Sequence, residues 1–154
     1  MTKWLNDQQQ KHWRAWIAAS TLLSDQLNRD LQESSGLTLP DYEILVRLSD
    51  APDRKIRMSD LAAITLSSRS RLTHQINRME AAGLVTREAC EDDRRGQLCA
   101  MTNHGWKTLV ATAPAHVASV RKHFVDVLTP AEYAALGQAA EKIAARLDSL
   151  SDQD

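Results

Sequence analysis

Two apolar seams in the second half of the chain restrict its possible folds more than any other feature. Trp106, Val110, Ala113, Val117, Val120, Phe124 and Val127 recur at alternating steps of four and three residues. Tyr133, Leu136, Ala140, Ile143, Leu147 and Leu150 resume the pattern after Thr129-Pro130-Ala131-Glu132. Heptads of this kind make helices that lie along one another. The Thr-Pro-Ala-Glu run starts the second of them: Thr caps, Pro takes the first helical position, and Glu completes a capping box. A third stripe, Trp13, Trp16, Ile17, Leu23, Leu27 and Leu31, predicts a helix over 6–34 that Ser34-Ser35-Gly36 ends. Three such stripes are more than a small monomer of 154 residues readily buries, so mutual burial between two copies is expected. The alternative is an intramolecular three-helix bundle.

Between the stripes the pattern changes. Thr38 is placed to cap a helix with Pro40 in its first turn and an apolar face of Tyr42, Leu45, Val46 and Leu48. Asp50-Ala51-Pro52-Asp53 reads as a turn, followed by a short extended piece, Ile56-Arg57-Met58. A short helix over 59–65 leads through a tight Leu66-Ser67 turn to another, capped by Ser68 and stopped at Gly83. Leu72, Ile76 and Met79 share its inner face; Arg69, Ser70, Thr73, His74, Asn77 and Arg78 share the outer one. Two extended runs, 84–88 and 97–101, then flank a polar tip, Asp92-Asp93-Arg94-Arg95-Gly96. Thr102 caps the next helix, and Pro114 within that helix is expected to bend it near Val110.

The charge distribution sorts these parts. Net charge is −1, but residues 54–95 hold nine basic and six acidic side chains, whereas residues 1–53 hold five and eight. A near-neutral protein with a basic middle can still steer a polyanion. Over residues 66–78 every charged side chain is an arginine: Arg69, Arg71 and Arg78. A solvated helix face usually mixes signs. A helix fits the DNA major groove, and Arg69, Ser70, Arg71, Thr73, His74 and Asn77 have the chemistry to meet bases and phosphates there. Arg94 and Arg95 at the hairpin tip suit a narrow minor groove. Asp92 and Asp93 before them either orient an arginine or accept the backbone donors of the tip.

The run Leu61-Ala62, Leu66-Ser67-Ser68, Leu72-Thr73-His74, Ile76, Arg78-Met79-Glu80, Gly83-Leu84-Val85-Thr86-Arg87, then Asp93-Arg94-Arg95-Gly96, Met101-Thr102 and Gly105 resembles the multiple antibiotic resistance regulator (MarR) family. With the helical flanks, the resemblance covers nearly the whole chain. It implies a mainly α fold: a winged helix-turn-helix lobe over 37–102 with a small β-hairpin wing, and a helical dimerisation region from 1–36 and 103–154. It implies a transcriptional regulator, usually a repressor, that binds double-stranded DNA at a pseudo-palindromic operator as a homodimer. Ser68 to Arg78 would be the recognition helix, and Arg94 and Arg95 the wing arginines.

The resemblance also raises the matter of sensing. Many members release DNA when a small aromatic acid, drug or oxidant acts on them. His12, Trp13, Trp16, Tyr42 and His116 are the candidate lining for an aromatic effector, since Trp and Tyr offer flat apolar walls with a polar handle. The same residues also fit a packed core. Oxidant-responsive members carry a cysteine in the first helix, which has none here. Cys90 and Cys99 flank the wing instead. A thiol beside Arg87, Arg94 or Arg95 would have a lowered pKa, which keeps a redox-responsive regulator open as an alternative; incidental small residues in a hairpin are the plainer reading. His116 and His123 alone are too few for a metal. No Gly-rich phosphate loop, Gly-x-Ser-x-Gly turn or His-Glu-x-x-His helix is present, so no enzyme and no cofactor are expected. A helical protein-interaction dimer is the other alternative. No apolar run approaches the ~18 residues of a membrane span, and the polar N-terminus lacks the core of a secretory signal; a cytoplasmic location is expected.

Overall fold

The computed structural model describes residues 1–93 and 95–151. It contains α1 (Asp7–Ser35), α2 (Leu39–Asp50), β1 (Lys55–Arg57), α3 (Met58–Ile64), α4 (Arg69–Ala81), β2 (Val85–Ala89), β3 (Gln97–Met101), α5 (Asn103–His123) and α6 (Pro130–Ser151). The chain divides into a unit Met1–His116 and a unit that begins at Val117. Arg94 and residues 152–154, the end of the expected helical region, lie outside the described residues.

Side-chain caps set the helix boundaries of the first unit; those of Thr38 and Ser68 are anticipated from sequence, that of Asn6 is not. Asn6 and Gln9 form a reciprocal capping box at the start of α1, and Gly36 ends it with φ 74°. The Thr38 hydroxyl accepts the Asp41 N–H (3.2 Å), and the Ser68 hydroxyl accepts the Arg71 N–H (3.2 Å). The core lies where α2, α3 and α4 meet the sheet. Ile44, Leu45 and Leu48, Leu61, Leu72, Ile76 and Met79, and Val85 are buried there, with Leu31 and Leu109 from the flanking helices. Ile44 belongs to this core although only Tyr42, Leu45, Val46 and Leu48 are expected there from periodicity; Val46 is half-buried.

The hairpin is part of a three-stranded antiparallel sheet in the order β1-β3-β2. The short extended piece at Ile56 joins it, with Lys55 opposite Ala100 and Arg57 opposite Leu98. Asp53 (φ 54°) and Arg54 (φ 56°) are both left-handed and turn the chain into β1, closed by the Lys55 N–H donating to the Pro52 carbonyl. Arg54 then lays its guanidinium over Trp106, 3.9 Å from the ring centroid. Lys55 reaches across β3 to Glu88 (2.6 Å).

The first seam departs from expectation. α5 stops at His123, Phe124 is non-helical (φ −136°), and Val125–Val127 is a single 3-10 turn. Phe124 packs edge-on against Tyr133 with centroids 5.5 Å apart. The line that α5 buries is Gly105, Leu109, Thr112 and Ser119, while Val110 and Val117 are 52% and 54% exposed. Apolar spacing alone could not separate the stripe that faces the chain's own core from the one beside it. Thr129 and Glu132 form the expected capping box of α6, with Thr129 N–H to Oε2 at 2.8 Å and Glu132 N–H to Oγ1 at 3.3 Å. This holds the Glu132 carboxyl below the usual carboxylate range, through its hydrogen bonds from the Thr129 backbone and hydroxyl.

Candidate nucleic-acid interface

α3 and α4 are joined by a turn built on an uncommon conformation. Leu66 is left-handed (φ 52°) and 89% exposed. Its N–H donates to Ala63 O (3.2 Å), and the Ser67 N–H donates to Ala62 O (3.0 Å), so the last carbonyls of α3 are satisfied while the chain reverses. α4 then sinks Leu72, Ile76 and Met79 into the core. Gln75, also buried, donates to Asp41 Oδ1 (3.0 Å), tying the helix to α2.

The outer residues of α4 divide between its two flanks. Arg69, Thr73 and Asn77 line a cleft of about 610 Å³ between the helix and the wing, with Arg95 and Asp93 from the wing tip. Ser70, Arg71, His74 and Arg78 line a second cleft of about 750 Å³, together with Pro40, Glu43 and Leu66. Ser68 is spent on the cap. Arg78 leans toward Asp41 (3.7 Å), the same carboxylate that holds Gln75.

The wing cleft contains two arginines that sequence reasoning did not assign to it. Arg57 enters from β1, and Arg87 from β2. Asp93 is the one carboxylate among the described lining residues, facing Arg57, Arg69, Arg87 and Arg95. Asp93 acts on the backbone: its Oδ1 accepts the Arg95 N–H at 3.0 Å, and its carbonyl accepts the Gly96 N–H at 3.0 Å. This is the turn role anticipated for an acidic residue at the tip. Among the described residues Arg57, Arg69, Arg71 and Arg95 form no ion pair. A signal for Arg57 was available: it immediately precedes the first helix of the pair and lies in the basic third of the sequence. For Arg87 no local signal existed, because its place depends on strand register.

Arg87 is the most engaged polar side chain of the cleft. Its Nη1 donates to Glu80 Oε2 (2.9 Å) and its own N–H to Glu80 Oε1 (3.2 Å). Its Nη2 donates to the Thr73 carbonyl (3.3 Å) and to Asn77 Oδ1. The Thr73 hydroxyl donates to the Arg69 carbonyl at 2.8 Å.

Of the aromatic set, the structure brings together Tyr42 and His116, with ring centroids 4.4 Å apart. Burial raises the Tyr42 pKa; burial also lowers that of His116, against an opposing pull from Glu43. His116 Nδ1 is buried without a hydrogen-bond partner among the described residues. His12, Trp13 and Trp16 are exposed on α1, Trp13 at 56%, and line neither cleft beside α4.

The Cys99 thiol does not have the environment of a sensor. Cys90 and Cys99 are free and buried. Burial pushes the Cys99 thiol up to about 12, and the nearby Arg87 does not offset it. The lowered pKa expected of a thiol beside the wing arginines is thus reversed for Cys99, because β3 is the middle strand and turns this side chain into the core. Among the described residues no group of three or more His, Cys, Asp or Glu side chains is arranged to hold a metal ion.

Comparison with known proteins agrees with this geometry. The MarR family model matches residues 35–96, which include all the lining of the second cleft and all but Gln97 of the wing cleft. The structure of AbsC, a MarR family transcriptional regulator from Streptomyces coelicolor, superposes with a TM-score of 0.91 at 51% identity, covering 96% of this chain and 99% of that one. Sco3205, a MarR family regulator from the same organism solved in complex with DNA, gives 0.90 at 41% identity over 93% and 90%. The transcriptional regulator HosA of Escherichia coli is 31% identical over 111 residues, 72% of this chain and 80% of its own length. The fold is a winged helix-turn-helix, and the chain belongs to the MarR family of transcriptional regulators.

Proposed function

We propose that the chain is a sequence-specific DNA-binding repressor that occupies a pseudo-palindromic operator as a homodimer. The observation that carries this reading is the cleft between α4 and the wing, where Arg57, Arg69, Arg87 and Arg95 converge with one carboxylate among them. Donors on both walls of such a cleft suit a helix in the major groove with a wing beside it. The similar Sco3205 was solved bound to DNA. Ser68, Ser70, Arg71, His74 and Arg78, with Arg94 outside the described residues, complete the proposed contact set. Those along the second cleft suit phosphates, which position a protein without reading sequence.

Two copies are needed for a two-fold operator. The dimerisation region we assign to 1–36 and 103–154, with the DNA-binding lobe at 37–102. Trp13, Trp16, Ile17, Leu22, Val110 and Ile143 support this, each at least 43% exposed in the single chain. For an aromatic acid effector, Tyr42 and the unpartnered Nδ1 of His116 offer a flat wall and a polar atom; His12, Trp13 and Trp16 would join only if the dimer covers them. Such a regulator works on the chromosome in the cytoplasm; no described helix is long and apolar enough to cross a membrane.

The test is selection of sites from randomised duplex DNA, followed by anisotropy titration at several salt concentrations. An inverted repeat bound with steep salt dependence, and weakened by Arg95→Ala, is expected. Binding no tighter than ~10⁻⁵ M to any sequence, the non-specific range, would leave a helical protein-interaction dimer as the better reading.

A further inference from the structure

Leu66 holds the turn between α3 and α4 in a conformation that does not suit it. Its φ of 52° is left-handed, a region that glycine enters freely and leucine does not. The fold gives the side chain nothing in return, since it is 89% exposed. The two hydrogen bonds that close the turn, Leu66 N–H to Ala63 O (3.2 Å) and Ser67 N–H to Ala62 O (3.0 Å), use backbone alone and would survive with glycine. A scattered exposed leucine is ordinary. One held in a glycine conformation is an outlier of the kind that gathers at binding surfaces.

Its surroundings say what kind of partner it meets. Leu66 lines the second cleft beside exposed Ser70, Arg71, His74 and Arg78, with Glu43 as the carboxylate. Arg71 forms no ion pair among the described residues. Of the apolar lining, Ile44 is buried, and Pro40 is the other exposed residue. A protein partner would want a wider apolar patch; one apolar group among hydroxyls and cations suits nucleic acid. The root of Leu66 is fixed as well. Two residues on, the Ser68 hydroxyl caps α4 (3.2 Å), and the first turns of such a helix are the part that reaches base edges.

We infer that Leu66 is a specificity-determining residue that packs against the C5 methyl group of thymine at one symmetric pair of operator positions. The inference rests on the operator-binding reading above. A leucine side chain neither donates nor accepts a hydrogen bond. Among the major-groove edges of the bases it can gain only from the one apolar group they carry, the thymine methyl. That methyl stands on the backbone side of its base, within reach of a side chain whose neighbours suit phosphates. The strained turn then has a reason: glycine would reverse the chain more easily but present nothing to the methyl.

The experiment uses the full chain and the operator recovered by selection, with thymine replaced by deoxyuridine at one symmetric pair of positions at a time. The replacement deletes the methyl group and nothing else. Wild type is expected to lose about fifteenfold in affinity at one pair, about fourfold for each methyl group buried. Leu66→Gly keeps the turn and should bind the thymine and deoxyuridine forms of that pair to within about twofold, while matching wild type at every other thymine. Leu66→Met, still apolar, should retain the loss. Should Leu66→Gly fail to fold by circular dichroism, Leu66→Asn takes its place, asparagine being a polar residue that also tolerates the left-handed region. The inference is overturned if no pair differs between wild type and Leu66→Gly in its response to methyl removal, or if Leu66→Gly weakens both forms alike, which marks a sugar or phosphate neighbour. It is also overturned if Leu66→Met loses the response as fully as Leu66→Gly, or if the selected operator contains no thymine. If wild type recovers no consensus, the operator-binding reading has failed and takes the inference with it, an outcome told apart because no site exists to scan.

Discussion

A methyl group at position 105 would lie 2.1 Å from the Leu84 carbonyl oxygen, inside any tolerable contact. Gly105 lets the first turn of α5 lie directly against the entry to β2, where the Thr102 hydroxyl also accepts the Gly105 N–H (2.9 Å). Gly105→Ala must therefore shift backbone, and a loss of about 2–4 kcal/mol in urea unfolding is expected. Leu66 is the opposite case. Its left-handed conformation costs a side-chain-bearing residue about 1–2 kcal/mol, and 89% of its surface is in solvent. Leu66→Gly should relieve that cost, less the extra freedom of the unfolded chain, for a net gain of about 0.5–1 kcal/mol. Cys99 provides a test by pH. Its pKa is raised in the fold to about 12, so the folded state keeps the proton that the unfolded thiol loses at about 8.5. Its contribution is complete below that value and declines as pH rises toward 12, by about 1.4 kcal/mol per unit. Wild type should lose this increment between pH 9 and 11 relative to Cys99→Ala in chemical unfolding. Equal slopes for the two proteins would contradict the burial argument.

At the level of elements, capping chemistry was readable because it is local. Thr38, Ser68, Thr102 and Thr129 each act within three residues of themselves, and the helix starts at 39, 69, 103 and 130 follow from them. The pairing of β1 with β3 was not readable, since it joins Lys55 to Ala100 and no local pattern connects them. The composition of the wing cleft was half legible for the same reason. Arg69, Thr73 and Asn77 share a helix face that periodicity reveals, and Arg95 lies in a visible turn motif. Arg57 and Arg87 reach the cleft only through sheet register. If both act at phosphates or bases, Arg57→Ala should weaken binding alike for all sequences and flatten the salt dependence by about one unit of slope. Anisotropy titration over a range of salt concentrations measures both. An unaltered slope would remove Arg57 from the contact set.

For the whole molecule, the seams revealed the presence of helices better than their ends. α5 stops at His123 because Phe124 leaves helical geometry, yet Val127 continues the spacing by coincidence. The exposed apolar face of the first unit carries the prediction at this scale. Ile17→Glu, at a residue 43% exposed in the single chain, should convert the proposed dimer to monomer in sedimentation velocity without unfolding it. A monomeric wild type would overturn the assignment. The strand order has a consequence in time. β2 and β3 meet across a short turn, whereas β1 can dock on β3 only after the intervening helices have been brought home, and closing so long a loop is slow. Arg57 is carried on that last strand. The arginine cleft is therefore complete only when both pairings of β3, the local one with β2 and the distant one with β1, are made. Opening of β1 alone would remove one wall of that cleft and leave the helix pair and the hairpin as they are.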